Sequence, residues 1–475
     1  MPVILMSSAP ETNESSVNRV VAKSLRIFTD IKADEVRLTL ALFSTVFLML
    51  TAYYLAKPVR ESWLAVSMIG DLSRIEVKAV SGGLQSIVLI ALLPLYTKLY
   101  DIWPRRRLLM VVNLFFVAMF PIFWLLQPDL FSVTIPYAGV AFYIFIGIFA
   151  VSVVAQFWAY AADLYNEDAG KRLFPLIALG ASAGGVAGSA LASRLINAFD
   201  ISTYTMLLIA PLVLMLATYV LWRVETYDEK TGKTPSIVPD ARPEDPRSAW
   251  KIVMTNRYIL LIAMFVFLLN WVQTNGENIL FAAVQEAIAG DAEISADARA
   301  SATAKAYSGI FFWVSLIGLL LQAFIVSRLL RFGGVAGVLL IPPFVSLVSN
   351  GTMSATGGLG VLTVAKTAEN ATNYSIANTA RHVLWLPVAK EALYKAKTAI
   401  DTVCFRVADG LAAITVIVGT RILSADTKSF FVFNLFLVII WLGVGLMILR
   451  ERSARRELWN AREAEEASPI KDATA

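Results

Sequence analysis

The apolar segment at residues 357–388 is rich in polar side chains, among them Lys366, Glu369, Asn370, Asn373 and Arg381. An ionisable group at membrane depth costs at least about 2.5 kcal/mol, so it usually faces a cavity or a partner. Helical periodicity places all five except Glu369 on one stripe. This stripe predicts contact with an anionic, hydrogen-bonding solute. The alternative is an internal pairing of Lys366 with Glu369, or of Glu369 with Asn373.

The apolar segment at residues 257–284 contains a second dense polar run. Asn270, Gln273 and Glu277 are three or four residues apart, which places them on one helical face. We expect this face to line a cavity. The alternative is a set of hydrogen bonds that only join neighbouring helices.

The segment at residues 397–423 contains Asp401, Arg406 and Asp409. Asp401 and Arg406 are five residues apart and are not ideal helical neighbours. We therefore expect each to contact another helix or a ligand, with structural pairing as the alternative.

In the first half of the chain, Pro58 lies between Lys57 and Arg60 near the end of an apolar segment, and Lys78 begins the next segment. Proline lacks an amide hydrogen and opens the helical backbone beside the two cations. This arrangement predicts an anionic contact at a broken helix. Snorkelling of the cations to the membrane interface is the alternative.

These residues, including Lys57 and Arg406, form one candidate substrate site. Three roles are predicted for its members. Anion contacts are assigned to Arg60, Lys78, Lys366 and Arg381. Hydrogen bonds to the uncharged part of the solute are assigned to Gln273, Asn370 and Asn373. Charge balance or proton relay is assigned to Glu277, Glu369, Asp401 and Asp409.

The composition indicates a polytopic membrane protein built only from helices. Of the 475 residues, 57% are hydrophobic and 16% are charged, whereas a soluble domain usually carries about 25% charged residues. Apolar runs long enough to span about 30 Å of hydrocarbon lie near 38–58, 79–100, 106–126, 136–162, 172–197, 203–223, 257–284, 305–328, 334–349, 357–388, 397–423 and 429–449. The sequence thus predicts about twelve transmembrane helices.

A charged, proline-rich linker divides these helices into two sets of six. The predicted organisation is an N-terminal segment (1–36), a six-helix half (37–224), the linker (225–256), a second six-helix half (257–450) and a tail (451–475). Six plus six helices is the layout of the major facilitator architecture. We expect a midplane cavity lined by the first, second, fourth and fifth helices of each half. The glycines at 180, 184, 185 and 188 predict close packing of the fifth helix.

Lysine and arginine positions predict a multi-pass protein of the cell inner membrane with both termini in the cytoplasm. Loops on the predicted cytoplasmic side also carry candidate gating residues, because an acidic-plus-basic loop can clamp helix ends in one gating state. These gating candidates are Asp101, Arg105, Arg106, Lys171, Arg172, Arg328 and Arg331.

Several function classes are excluded or disfavoured by composition. With 1 Cys and 1 His, the chain cannot assemble a thiolate zinc site, a disulfide framework or a His-based triad. We predict no enzyme activity, no metal and no cofactor. The basic residues lie in short loops and not along one polar face, so no nucleic-acid partner is expected. The expected partners are the lipid bilayer and a small anionic solute, and no obligate protein partner is evident.

Two separated sequence stretches resemble the ATP/ADP translocase family of intracellular bacteria and plastids. The first comprises residues 157–161 (FWAYA), 171–176 (KRLFPL) and Gly180-Ala181. The second comprises Tyr374-Ser375, Arg381, residues 385–388 (WLPV) and residues 395–401 (KAKTAID) with Arg406. The similarity runs over most of residues 37–450. It implies a twelve-helix carrier, distantly related to major facilitators, that exchanges nucleotides such as ADP and ATP.

The transport-associated charges of that family are only partly present. Lys78 matches the family's lysine at the start of the second helix. An acid of the fourth helix falls near Ile146, a glutamate of the seventh at Gln273, and a lysine of the eleventh near Asp409. Gain of acid and loss of base argue against an unmodified site for a tetra-anionic nucleotide.

Three functions therefore stay open from the sequence. The first is nucleotide exchange by alternating access, implied by the family resemblance. The second is proton-coupled transport of another organic anion or metabolite, which would use the buried acids. The third is a membrane-embedded structural or sensory protein that has lost transport.

Overall fold

A computed structural model describes residues 31–32, 35–103, 105–128, 130, 135–165, 167–231, 246–289, 294–356, 358–388, 396–397 and 399–467. Within these ranges the chain forms helices and turns and no β-strand. The expected all-helical membrane fold is confirmed. The middle of the predicted linker, 232–245, lies outside the described residues.

Six long helices form the first half of the chain. They are α1 (Val36–Val66), α2 (Arg74–Ile102), α3 (Arg105–Leu125), α4 (Ala138–Leu164), α5 (Glu167–Asn197) and α6 (Met206–Thr231). A short amphipathic helix, α7 (Pro246–Thr255), precedes the second half. The side-chain Oδ1 of Asn256 accepts the amides of Tyr258 and Ile259, which ends α7 and begins the next long helix.

Six further helices form the second half, and three of them contain a π-helical turn. They are α8 (Arg257–Ala289), α9 (Ala296–Leu320, a π turn at Leu321–Ile325, then Val326–Phe332), α10 (Gly334–Thr356), α11 (Leu359–Thr372, a π turn at Asn373–Ala377, then Asn378–Val383), α12 (a π turn at Ile400–Cys404, then Phe405–Arg421) and α13 (Thr427–Ala467). Such π turns occur frequently at functional sites.

Eleven helices within the described residues are long and apolar enough to cross a membrane. They correspond to eleven of the twelve predicted segments. The remaining segment is α11, whose first part has only 14 residues before the π turn and includes Lys366 and Glu369. Its polarity and its break explain why it falls short of the criterion for an apolar span.

The predicted close packing of the fifth helix is present between α5 and α1. A Cβ atom added to Gly184 would lie 2.2 Å from the carbonyl oxygen of Phe47, and one added to Gly188 would lie 2.5 Å from that of Thr51. Thr51 also donates a hydrogen bond of 3.2 Å to the Gly184 carbonyl. Only residues without a side chain allow these two backbones to approach so closely.

The three largest sets of buried apolar side chains among the described residues form two cores and one shared cluster. One core lies within the first half, between Leu42 and Leu221, with Ala304 as its single contribution from the second half. The other lies within the second half, between Val253 and Ile448. A third set, here called the inter-half cluster, joins the end of α1 and the beginning of α2 to the end of α8 and the beginning of α9. The halves are therefore packed together at the ends of these helices that lie away from the chain termini.

Candidate functional site

A cavity of about 620 Å³ lies between the two halves. It is lined by α1, α2, α4 and α5 from the first half and by α8, α9, α11 and α12 from the second. These are the helices expected from the sequence. A cavity of this size is within the range of small-molecule sites.

The cavity extends from Arg60 and Lys78, near the loop between α1 and α2, through the middle of the bundle towards the side on which the described chain begins and ends, here called the terminal side. Its lining residues Tyr54 and Gly185 lie midway along α1 and α5. Arg381 and Phe405 lie near the ends of α11 and α12 that face the terminal side. On the opposite side, the inter-half cluster closes the bundle.

A three-residue charged cluster forms the wall contributed by α1 and α2. Glu61 accepts a hydrogen bond of 2.9 Å from Arg60 Nε, and its other oxygen forms an ion pair with Lys78. Arg60 and Lys78 also lie over the ring of Tyr143, at 4.8 and 4.9 Å from its centroid. Arg60, Lys78 and Tyr143 line the cavity, and Glu61 lies behind them with 1% of its side chain exposed. One carboxylate thus holds two cations that face the cavity.

Lys57 lies in an aromatic cage one turn before this cluster. Its Nζ is 4.0 Å from the centroid of Phe311, 5.1 Å from Tyr54 and 5.8 Å from both Tyr53 and Tyr374. Only 6% of Lys57 is exposed. The residue is absent from the cavity lining, and cation–π contacts stabilise its buried charge.

The wall contributed by α8 carries the predicted polar face. Asn270, Gln273 and Glu277 all line the cavity, together with Thr274. Glu277 Oε1 accepts a hydrogen bond of 2.7 Å from Asn370 Nδ2 on α11. This helical face therefore lines a cavity and also joins two helices.

Lys366 and Glu369 pair with each other inside the protein. Lys366 Nζ lies 2.8 Å from Glu369 Oε2, and Ser346 donates a 2.8 Å hydrogen bond to Glu369 Oε1. The two charged side chains are 0% and 1% exposed. A Cβ atom at Gly276 would lie 2.2 Å from Lys366 Nζ, so this glycine leaves the space that the ammonium fills. The internal pairing considered from the sequence is therefore present, and neither residue lines the cavity.

Asp409 is held by four donors from three helices and lines the cavity. Its Oδ1 accepts bonds of 2.8 Å from both Asn270 and Thr274 on α8. Its Oδ2 accepts bonds of 3.0 Å from Ser86 on α2 and 3.2 Å from Arg406 on α12. Asp409 thus joins the two halves near the centre of the bundle.

Arg381 lines the cavity near the terminal side. Its guanidinium lies 5.0 Å from the centroid of Phe405 and donates a 3.0 Å hydrogen bond to Asn378. Asn373, on the π turn of α11, also lines the cavity, whereas Asp401 is exposed and lies outside it. The structure therefore brings seven of the predicted site residues to one cavity. They are Arg60, Lys78, Gln273, Glu277, Asn373, Arg381 and Asp409.

The predicted gating residues are only partly described. The side chains of Asp101, Arg105, Arg106 and Lys171 lie outside the described residues. Arg172 forms an ion pair of 2.8 Å with Glu35 within the first half. Arg328 donates to the carbonyl of Phe324, and Arg331 lies over the ring of Phe332.

A set of polar contacts between the halves lies on the side opposite the termini and was not predicted from the sequence. Arg421, at the end of α12, donates to both carboxylate oxygens of Glu76 at 2.6 and 3.0 Å and to Asp71 Oδ2 at 2.8 Å. We call these three residues the Arg421 bridge. Lys305 and Asp200 form a second contact there, at 2.9 Å. Among the described side chains, hydrogen bonds between the halves lie at this side or at Asp409.

The local sequence explains part of the Arg421 bridge. Glu76 lies three residues after Ser73 and accepts the Ser73 amide at 2.6 Å, which is the capping box of α2. That pattern is readable from the sequence and fixes one side of the bridge. The hydrogen bond from Arg421 lowers the pKa of Asp71, which lies in the loop outside the spans.

Sequence reasoning also missed other parts of the cavity wall. Tyr54, Gln85, Tyr143 and Tyr374 line it, although aromatic and amide side chains in apolar helices carry no distinctive spacing signal. Within the described residues, no group of three or more His, Cys, Asp or Glu side chains could hold a metal ion.

Residues 38–386 of the chain match the family model described as "Major Facilitator Superfamily". The chain belongs to the Major Facilitator Superfamily. This match covers the first half, the linker and most of the second half, in agreement with the twelve-helix bundle and its central cavity. No curated protein matches the chain in sequence.

Solved structures of other transporters have the same fold. The nucleoside transporter NupG, crystallised as a point mutant, has a TM-score of 0.60 at 14% identity, covering 86% of this chain and 99% of that chain. A bacterial homologue of the iron transporter ferroportin has a TM-score of 0.60 at 14% identity, with coverages of 87% and 98%. A POT family transporter in complex with 5-aminolevulinic acid has a TM-score of 0.58 at 12% identity, with coverages of 87% and 95%.

Membership of this family makes the chain a membrane transporter. The similar structures are named for solutes of different chemistry, so they carry no argument for one solute. Neither the family match nor these structures confirm the resemblance to ATP/ADP translocases.

Proposed function

We propose that this major facilitator is a proton-coupled secondary carrier of a small organic anion, which moves by alternating access. The observation that carries this proposal is the cavity wall on which Arg60 and Lys78 share one carboxylate, Glu61. Both cations face the cavity, so they can exchange Glu61 for a carboxylate or phosphate oxygen of the solute.

This exchange provides the coupling step. When the solute anion binds Arg60 and Lys78, Glu61 loses the hydrogen bonds and ion pairs that favour its charged form. A carboxylate with 1% of its side chain exposed then gains a proton from the cavity water, because burial disfavours an unpaired charge. One anion and one proton thereby occupy the cavity together. Release of the solute returns Glu61 to its cations and the proton to water on the other side.

The position of the cavity supports a state that is open to the terminal side. We assign this side to the cytoplasm of an inner-membrane protein, as the distribution of basic residues indicates. The Arg421 bridge and the inter-half cluster then close the outer side. Arg172, Arg328 and Arg331, with the basic loops around 105 and 171, are proposed to make contacts when the cytoplasmic side closes.

Nucleotide exchange is the second candidate, since Arg60, Lys78 and Arg381 are three cations on the cavity wall. Glu277 and Asp409 line the same cavity. A nucleotide with four negative charges would meet these two carboxylates at close range, and like charges in a partly dry site repel strongly. The mixed charge therefore favours a solute with fewer negative charges.

Transport by purified protein in proteoliposomes tests the proposal. We expect an imposed pH gradient to drive uptake of at least one labelled carboxylate-bearing solute from a panel of glutarate, glutamate, dialanine and N-propionyl-alanine. Arg60→Gln should abolish this uptake, whereas Arg257→Gln, an exposed arginine outside the cavity, should leave it unchanged. Uptake of labelled ADP or ATP that requires internal nucleotide and ignores the pH gradient would establish exchange instead.

A further inference from the structure

Glu277 stands out among the carboxylates around the cavity because it forms no ion pair among the described residues. Glu61 pairs with Arg60 and Lys78, and Glu369 pairs with Lys366. Asp409 pairs with Arg406. The single described hydrogen bond to the Glu277 side chain comes from the neutral amide of Asn370, at 2.7 Å.

The Asn370 contact orients Glu277 without neutralising it. Asn370 donates to Oε1 only, so Oε2 has no described donor. An amide hydrogen bond fixes the plane of the carboxylate, but a full negative charge next to a partly dry cavity still favours a cation nearby. Lys57 is held among aromatic rings, so a cation that contacts Glu277 directly can come from the cavity.

The surrounding residues extend this polar surface. Asn278 and Asn373 line the same cavity and are 3% and 8% exposed. Asn278 Nδ2 and Asn373 Oδ1 have no hydrogen-bond partner among the residues that the structure describes. Buried amide atoms without partners are uncommon, because each costs about 1–3 kcal/mol when it is left unpaired. They point to a ligand with hydrogen-bonding groups beside Glu277.

The two walls of the cavity thus carry opposite charges. Arg60 and Lys78 lie on the wall made by α1 and α2, and Glu277 lies on the wall made by α8. We propose that the transported solute is a zwitterion, an amino acid or a short peptide, whose ammonium group binds Glu277 while its carboxylate binds Arg60 and Lys78. This inference rests on the proposed function and deepens it by naming the second charge of the solute.

Matched pairs of probes isolate the contribution of the ammonium group. Glutarate is glutamate without its ammonium group, and N-propionyl-alanine is dialanine without its ammonium group. The thermal unfolding temperature of the purified full-length protein is recorded as the ligand concentration increases. The concentration needed for a given rise in this temperature is compared between the two members of each pair. We expect at least one zwitterion to bind about ten- to a hundred-fold more tightly than its partner, as a lost charged hydrogen bond implies.

Glu277→Gln keeps the shape and the Asn370 contact but removes the charge. It should reduce the preference for the zwitterion to about one-fold. Glu286→Gln, on the same helix but outside the cavity, should retain the full preference. An unchanged unfolding temperature of each ligand-free variant serves as the folding control.

Other outcomes separate the inference from the proposed function. Equal binding of both members of each pair, with proton-driven uptake that needs Arg60, would overturn the zwitterion assignment and leave anion transport intact. Failure of all four probes to bind would also overturn it. If Glu277→Gln abolished proton-driven accumulation but kept the preference for the zwitterion, Glu277 would be a proton carrier and not an ammonium site.

Discussion

The buried Lys366–Glu369 pair gives the sharpest test of which charges hold the fold and which bind solute. Lys366→Met removes the ammonium but keeps an unbranched side chain, one atom shorter than lysine, against Gly276. It leaves Glu369, with 1% of its side chain exposed, without a cation. Removal of one partner of a buried pair costs about 3–5 kcal/mol, because the remaining charge is uncompensated. We expect the free energy of unfolding to fall by that amount.

The double variant Lys366→Met/Glu369→Gln should recover most of this loss. It removes both charges, and the glutamine oxygen can still accept the hydrogen bond from Ser346. Replacing a buried pair by neutral groups is often close to neutral in stability. The two substitutions should therefore be strongly non-additive in a double-mutant cycle. Titration of the purified protein with SDS, followed by tryptophan fluorescence, measures the free energy of unfolding.

Lys305→Met is the matched control, since Lys305 pairs with Asp200 at 2.9 Å but is 42% exposed. An exposed pair contributes about 0–1 kcal/mol. Two results would contradict this prediction. Lys366→Met could lower the free energy of unfolding no more than Lys305→Met does, or the double variant could lower it by the sum of the losses from the two single substitutions. Normal transport by the double variant would show that Lys366 supports the fold. Loss of solute binding in a stable double variant would show instead that Lys366 binds the solute.

Three further predictions concern helix packing and the contacts opposite the termini. Gly184→Leu should prevent folding to a monodisperse protein, because its Cβ would overlap a backbone carbonyl of α1. Gly360→Ala should fold normally, because open space surrounds this glycine. Size-exclusion chromatography of the two variants makes the comparison. Arg421→Gln should lengthen the distance between spin labels on the α1–α2 loop and on the loop before α13, and an unchanged distance would contradict the proposed closure. In the wild type this distance should stay constant from pH 8 to 5 and increase only below about pH 3.8. Because Arg421 lowers the pKa of Asp71, the Asp71 carboxylate stays ionised and keeps its contact with Arg421 at pH values above 3.8, the ordinary pKa of aspartate. As the pH falls through the lowered pKa, Asp71 takes up a proton and this contact is lost.

Hydrophobicity was sufficient to predict the helices, and their six-plus-six layout then predicted which of them line the cavity. Long apolar runs have few alternatives in lipid, since every backbone group must be bonded internally. The polar face of α8 was also predictable, because α8 is a regular helix from Arg257 to Ala289 and its three- and four-residue spacing holds. Gln273 and Glu277 accordingly lie on the cavity wall.

Part of the stripe predicted along α11 does not face the cavity. Lys366 and Asn373 are seven residues apart, which places them on nearly the same face of the helix before the π turn. Asn373 and Arg381 line the cavity, whereas Lys366, two turns closer to the side opposite the termini, pairs with Glu369 and lies against Gly276 of α8. Helical periodicity predicts a shared face, and it does not predict at which level along the bundle neighbouring helices cover that face.

Contacts between distant helices were the other limit. Lys57 is 254 residues away from Phe311 in sequence, yet its Nζ lies 4.0 Å from the ring centroid. The alternatives given for Lys57, an anion contact or snorkelling, omitted a cage of aromatic rings. Arg421 was overlooked because a cation at the end of a predicted span is usually explained by the membrane interface.

The residues that position 276 can accept depend on the residue at position 366. Any side chain at position 276 would displace the Lys366 ammonium, which lies 2.2 Å from the position of a Cβ, and would separate it from Glu369. A substitution at Gly276 is therefore harmful while Lys366 is present and acceptable only after that lysine has been replaced by a shorter residue. The order in which mutations arise therefore matters here, and related carriers with a side chain at position 276 should have a shorter residue at position 366.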